Sequence, residues 1–182
     1  QLIIRIHTET KALVLYAEEM DLQHEFFWPP LIQQRDGLDH IIRAQVAQLC
    51  PEKLPEKSQR NPDESAYFQL DKALGHFYRA FYDVADWFTI ILRERIQEIM
   101  SNYSRATIRK MFPEYSDTIE PHIEEVWVQI ADLRRNKDVG GHDLLEDMGT
   151  YRRIIDALCD ALKEVRTVRK GLDQEELESR AS

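Results

Sequence analysis

The sequence predicts an all-α protein, an antiparallel up-and-down bundle of four to five long helices, on three observations. Apolar residues recur three and four apart through most of the 182 residues, the spacing of helices that bury one stripe. The six glycines and seven prolines are few and grouped rather than scattered, so long stretches run uninterrupted. Composition is 43% hydrophobic and 31% charged, enough for both a core and a solvated shell in a helix-rich globular chain.

A first helix is expected over roughly Leu2 to Phe27, ending before Pro29-Pro30, because a proline disfavours helical geometry in the residue before it. A second runs from about Leu31 to Cys50. Residues 51–65 hold three prolines and almost no apolar side chains and read as an exposed loop. Beyond them Leu74, Phe81, Phe88, Leu92 and Ile99 share one stripe, giving a third helix of roughly nine turns. Ser104 can cap a short helix that stops before Pro113, since its hydroxyl accepts from an otherwise unpaired amide. The next helix begins within Asp117 to Pro121 and continues through Leu133. Asp143 and Glu146 form a plausible capping box for the last helix, which Gly171 is expected to end. The organisation that follows is one helical-bundle domain over residues 1–171 and an acidic tail over 172–182. Helices two, three, five and six build the bundle and helix one packs alongside, leaving a site to form at an end or in a groove.

The net charge of −9 argues against a surface that grips nucleic acid along its length, because such binding rests on many Lys and Arg contacts to phosphates. No DNA-groove binding is expected, although a small basic pocket for RNA is compatible with that charge. Cys50 and Cys159 lie far apart in apolar helical patterns with no metal-ligand spacing around them. They read as buried free thiols of a reducing compartment, and hence of a cytoplasmic protein. The longest apolar run of interest, Phe88 to Leu92, is far too short to span a bilayer. No secretory leader is visible from Gln1 onward, and no association with a membrane is expected.

Two segments echo each other. Leu38-Asp39-His40-Ile41-Ile42-Arg43-Ala44 and Leu74-Gly75-His76-Phe77-Tyr78-Arg79-Ala80 share the pattern Leu-x-His-x-x-Arg-Ala. In each, His and Arg stand on one helix face; Asp36 extends the first line and Asp83 and Asp86 the second. If the lines face each other they make a polar network of His40, Arg43, His76, Arg79 and Asp83 with perturbed proton affinities. The plain alternative is that each set only orders its own helix pair or lies in solvent.

Arg35-Asp36-Gly37-Leu38-Asp39-His40 and Arg135-Asn136 through His142 have an Arg, a polar residue and then a His after four and six intervening residues. Both resemble the signature of the HEPN family of small helical bundles. In that family the motif lies around the start of the last bundle helix, so the Arg135 set has the better position and the Arg35 set the tighter spacing. The resemblance implies a metal-independent ribonuclease, of toxin or defence type, with two copies of the motif meeting across a dimer. It makes Arg135 the phosphate clamp, Asn136 an orienting residue and His142 the acid or base, with Arg35, Asp36 and His40 as the second candidate set. Some members of the family are inactive scaffolds. The plain alternative is that Arg134, Arg135 and Lys137 merely complement the C-terminal dipole of their helix.

Asp21 and His24, with Glu18 a turn earlier, have the carboxylate-x-x-His spacing of di-metal bundles, but no second set matches. No metal and no cofactor is expected. The rival to the enzyme is a non-enzymatic interaction or oligomerisation module that offers an apolar stripe to a second copy or to a protein partner.

Overall fold

The computed structural model describes residues 1–21, 27–53, 61–136 and 144–181. It is all-α: six helices and no strand occur among the described residues. They are α1 (Leu2–Met20), α2 (Pro29–Leu49), α3 (Pro62–Met100), α4 (Arg105–Met111), α5 (Glu120–Asn136) and α6 (Leu144–Ala181). A 3₁₀ turn spans Pro51–Lys53 and a π-helical turn Tyr115–Ile119. Internal contacts divide the chain into two compact units, Gln1–Trp87 and Phe88–Ser182, with the boundary inside α3.

In the first unit α1 buries Ile6, Thr10 and Ala17. It stops at Met20 rather than reaching Phe27, and Asp21 is already extended (φ −74°, ψ 116°). Its last turn carries Glu18 and Glu19 and no basic residue, so acidic charge accumulates at the negative end of the helix dipole and disfavours further turns. α2 includes both prolines in its first turn instead of starting after them, because the missing amide hydrogen costs nothing there. α3 starts at Pro62, inside the segment expected to be loop. Asn61 Oδ1 accepts from the Glu64 amide at 2.8 Å while the Asn61 amide donates to Glu64 Oε2 at 3.1 Å, a reciprocal cap that the sequence reading overlooked.

Cross-bonds run Gln33 to His76, His40 to Gln69 and Gln48 to Asp63. As the α2 number rises the α3 number falls, so the two helices are antiparallel. The glycine at position 37 lets them approach closely: a Cβ there would lie 2.8 and 2.9 Å from two ring carbons of Phe77. Phe77 is itself buried and meets His7 of α1 edge-on, with ring centroids 5.7 Å apart.

In the second unit Phe88, Leu92 and Ile96 of α3, Val126 and Ile130 of α5, and Leu158 and Leu162 of α6 are buried. Ser104 caps α4 as its sequence suggests, accepting from the Thr107 amide at 3.1 Å. α6 does not end at Gly171 but continues to Ala181. The glycine serves close packing there, since a Cβ would stand 3.4 Å from Met111 Cε of α4. Leu172 is fully buried beyond it, and the supposed acidic tail docks on α4. Glu176 Oε2 accepts from the Thr107 hydroxyl at 2.6 Å and the Ser104 amide at 2.9 Å, and Lys110 pairs with Glu175 at 2.6 Å. The Thr107 and Ser104 bonds hold the Glu176 carboxyl at about 2 against an opposing push from burial, with a smaller contribution from Arg180.

Cys50 and Cys159 are free thiols and half-buried rather than buried. Burial, with Asp156 and Asp160 nearby, pushes the Cys159 thiol up. No helix among the described residues is long and apolar enough to cross a membrane.

Candidate functional site

The antiparallel pairing of α2 and α3 brings the two echoed segments face to face at their histidines. The rings of His40 and His76 stack with centroids 5.2 Å apart and planes 20° from parallel. Each ring is fixed by a carboxamide of the opposite helix: His40 Nδ1 bonds Gln69 Oε1 at 2.6 Å and His76 Nδ1 bonds Gln33 Oε1 at 2.8 Å. An amide oxygen can only accept, so both Nδ1 atoms carry the hydrogen, and the neutral rings turn their basic lone pairs to Nε2. The hydrogen positions follow from these partners. Both histidines are half-buried.

Asp36 stands one turn before His40 on α2. Arg35 reaches its Oδ1 with Nε at 2.9 Å and Nη2 at 2.7 Å. The Arg35 hydrogen bond holds the Asp36 carboxyl below the ordinary carboxylate range, with a lesser push upward from burial and further lowering by the charges of Arg35, His76 and His40. The Arg35 side chain is 74% exposed, so its remaining donors face solvent. Burial pushes His76 below the usual histidine range, and the charges of Arg79 and His40 add to this while Asp36 opposes it. A proton is therefore harder to place on His76 than on an isolated imidazole.

Other expected members do not join this cluster. Arg43 pairs with Asp39 at 2.8 Å on an exposed face of α2. Arg79 is exposed and acts on His76 only through its charge. Asp83 lies half-buried two turns beyond His76. Because the helices are antiparallel, residues that follow the two histidines move away from one another along the pair.

Gln33 and Gln69 are the ring partners that the sequence reading does not mark. Each stands seven residues before the histidine of its own helix, so the shared pattern is Gln-x6-His-x-x-Arg-Ala, and extending the echo backwards would have found it. For the other motif, Arg135 lies at the end of α5 and pairs with Asp132 at 2.9 Å, both largely exposed. Asn136 is the last residue of α5. His142, Lys137 and Asp143 lie outside the described residues, as does His24 of the metal spacing considered above. No group of three or more His, Cys, Asp and Glu side chains among the described residues is arranged to hold a metal ion.

No family model, curated protein or solved structure matches this chain.

Proposed function

We propose that the protein is a HEPN-like, metal-independent ribonuclease whose proton-transfer residues are His40 and His76. The observation that supports this reading is their ring stack, with each Nδ1 tied to a glutamine and each Nε2 left for chemistry. His76, the ring disfavoured as a cation by burial, is the base that takes the proton from the ribose 2′-hydroxyl. The 2′-oxygen then bonds to phosphorus as the bond from phosphorus to the 5′-oxygen breaks. Protonated His40 gives its proton to that leaving oxygen. Arg35, held by Asp36 at the exposed edge, supplies donors for the charge on the phosphate oxygens. With a net charge of −9, the substrate is a short single-stranded stretch rather than a duplex tracked along its length. The two free thiols fit a reducing compartment, and we place the protein in the cytoplasm.

The alternative, an interaction module, draws support from a different observation. Leu49 and Tyr67 are 78% and 76% exposed and border an open cavity of about 540 Å³ that Leu70 and Ile41 also line. Such a face suits a second copy or a protein partner.

The two readings separate in one assay. Purified protein is incubated with a mixed RNA pool in EDTA, beside His40→Ala, His76→Ala and His142→Ala. The ribonuclease reading predicts cleavage by the wild type and by His142→Ala, and loss in the other two. Cleavage that survives in His40→Ala and His76→Ala and is lost in His142→Ala overturns the assignment, and no cleavage by the wild type favours the interaction module.

A further inference from the structure

The helix α2 is held to its unit by little apolar surface. It buries Pro30, Gly37, Ala44 and Ala47, while its larger side chains Leu38, Ile42 and Leu49 are exposed. Ala44 and Ala47 meet Ala66 of α3 in one small buried cluster, and Gly37 lies against Phe77. Glycine and alanine withdraw few carbon atoms from water, so burial stabilises this helix weakly. The half-buried stack of His40 on His76, with its two glutamine bonds, forms the polar centre of the α2–α3 junction.

The charges around that stack disfavour a second proton. On α2, Asp36 favours a proton on His76, but Arg35 already binds this carboxylate through two hydrogen bonds. On α3, Arg79 and Lys72 join His40 among the cations that oppose it. α1 reaches this level with another imidazole, His7, edge-on to Phe77. Gln33 and Gln69 are neutral and accept from Nδ1 in the neutral ring and in the cation alike, so neither absorbs a further charge. A first proton on the pair has Asp36 to face. A second would set two cations 5.2 Å apart in a half-buried stack, where like charges repel more strongly than in bulk water.

We propose that the His40–His76 pair is a pH-operated latch on α2: the helix lies against α3 while the pair holds at most one proton, and a second proton drives the two apart. Opening uncovers Gly37, Ala44 and Ala66 and the ring of Phe77. His76 takes up a proton less readily in the folded unit than an ordinary histidine does. Its contribution to stability is therefore complete above 6.5 and falls away as the pH drops below that value. The ribonuclease reading uses one proton on His40 and none on His76, which is a closed state, but the latch does not rest on that chemistry.

Urea unfolding followed by far-UV circular dichroism, at about pH 7.5 and about pH 5.5, brackets the ordinary histidine value of 6.5. Wild type, His40→Gln, His76→Gln and the double variant share every other titratable group, so differences among them isolate the pair. Between the two pH values the wild-type midpoint should fall by about 0.5 M more than that of any variant. Each single variant should match the double, because a ring left alone has no charged ring to repel it. In wild type the NOE between the His40 and His76 ring protons should be present at the higher pH and lost at the lower. That comparison needs no substitution and decides the question should a variant fail to fold. Equal midpoint shifts in wild type and variants, single-variant effects that simply add in the double, or a ring NOE undiminished at the lower pH would overturn the proposal.

Discussion

Replacing Gly37 with alanine should destabilise the first unit, although alanine is the better helix former. The added Cβ would meet Phe77 ring carbons at 2.8 and 2.9 Å and His76 Cβ at 3.4 Å. Phe77 is only 2% exposed, so the ring cannot swing into solvent to make room. Gly75, on the facing helix, is the internal control: a Cβ there meets nothing within 4 Å. Both substitutions gain about 1 kcal/mol of helix propensity, and that gain cancels when the two variants are compared. What remains is the cost of overpacking at position 37, about 1–3 kcal/mol. Gly75→Ala should therefore be more stable than wild type and Gly37→Ala less stable. Urea unfolding followed by far-UV circular dichroism would separate their midpoints by about 1 M for a slope of about 2 kcal/mol per M. The close approach also sets how His40 meets His76, so if the proposed ribonuclease chemistry holds, Gly37→Ala should lose RNA cleavage beyond its loss of stability. Coincident unfolding curves, or Gly37→Ala above Gly75→Ala, would refute the packing argument.

Further outcomes follow from the second unit and from the other motif. Leu172→Ala should cost about 2–5 kcal/mol in urea unfolding, because the side chain is fully buried in a helix that continues past Gly171; a loss within error of zero would mean that this segment does not pack. Glu176, held at about 2 against an ordinary 4.5, binds protons less readily folded than unfolded. Its contribution is complete above about 4.5 and disappears as the pH falls towards 2, so Glu176→Gln should flatten the acid limb of a stability–pH profile, and an unchanged limb would contradict the docking. Arg135→Ala removes an exposed pair with Asp132 and should shift stability by less than about 1 kcal/mol, and the proposed His40–His76 site predicts that it leaves any RNA cleavage intact. Loss of cleavage in that variant would return the site to the Arg135 motif.

Much of the fold was legible because long amphipathic helices announce themselves by period. The Ser104 cap and the long α3 follow from local pattern alone. What was missed depends on distant partners or on end effects. The sequence around Gly171 looks like a helix stop, yet the decisive fact is Met111 packed against it from α4, and no local rule supplies that neighbour. The early end of α1 reflects acidic charge at its C-terminus, which the periodicity of apolar residues does not weigh. At the site, the repeated His and Arg were visible as a pattern, and that the histidines meet follows from the antiparallel pairing of their helices. Arg43 and Arg79 share the pattern without sharing the site, because in an antiparallel pair the residues that follow the two histidines run in opposite directions and so part from one another. Gln33 and Gln69 escaped notice because uncharged amides carry no chemistry until a ring is placed against them.

The most direct test of the paired site is ¹⁵N NMR of the histidine rings across a pH titration, with His40→Gln as the comparison. The geometry predicts that neutral His40 and His76 both carry the hydrogen on Nδ1, that His76 titrates below an ordinary histidine, and that His40→Gln moves it upward by removing a neighbouring charge. Rings that carry the hydrogen on Nε2, with His76 titrating identically in wild type and His40→Gln, would contradict the pairing on which the proposed chemistry rests.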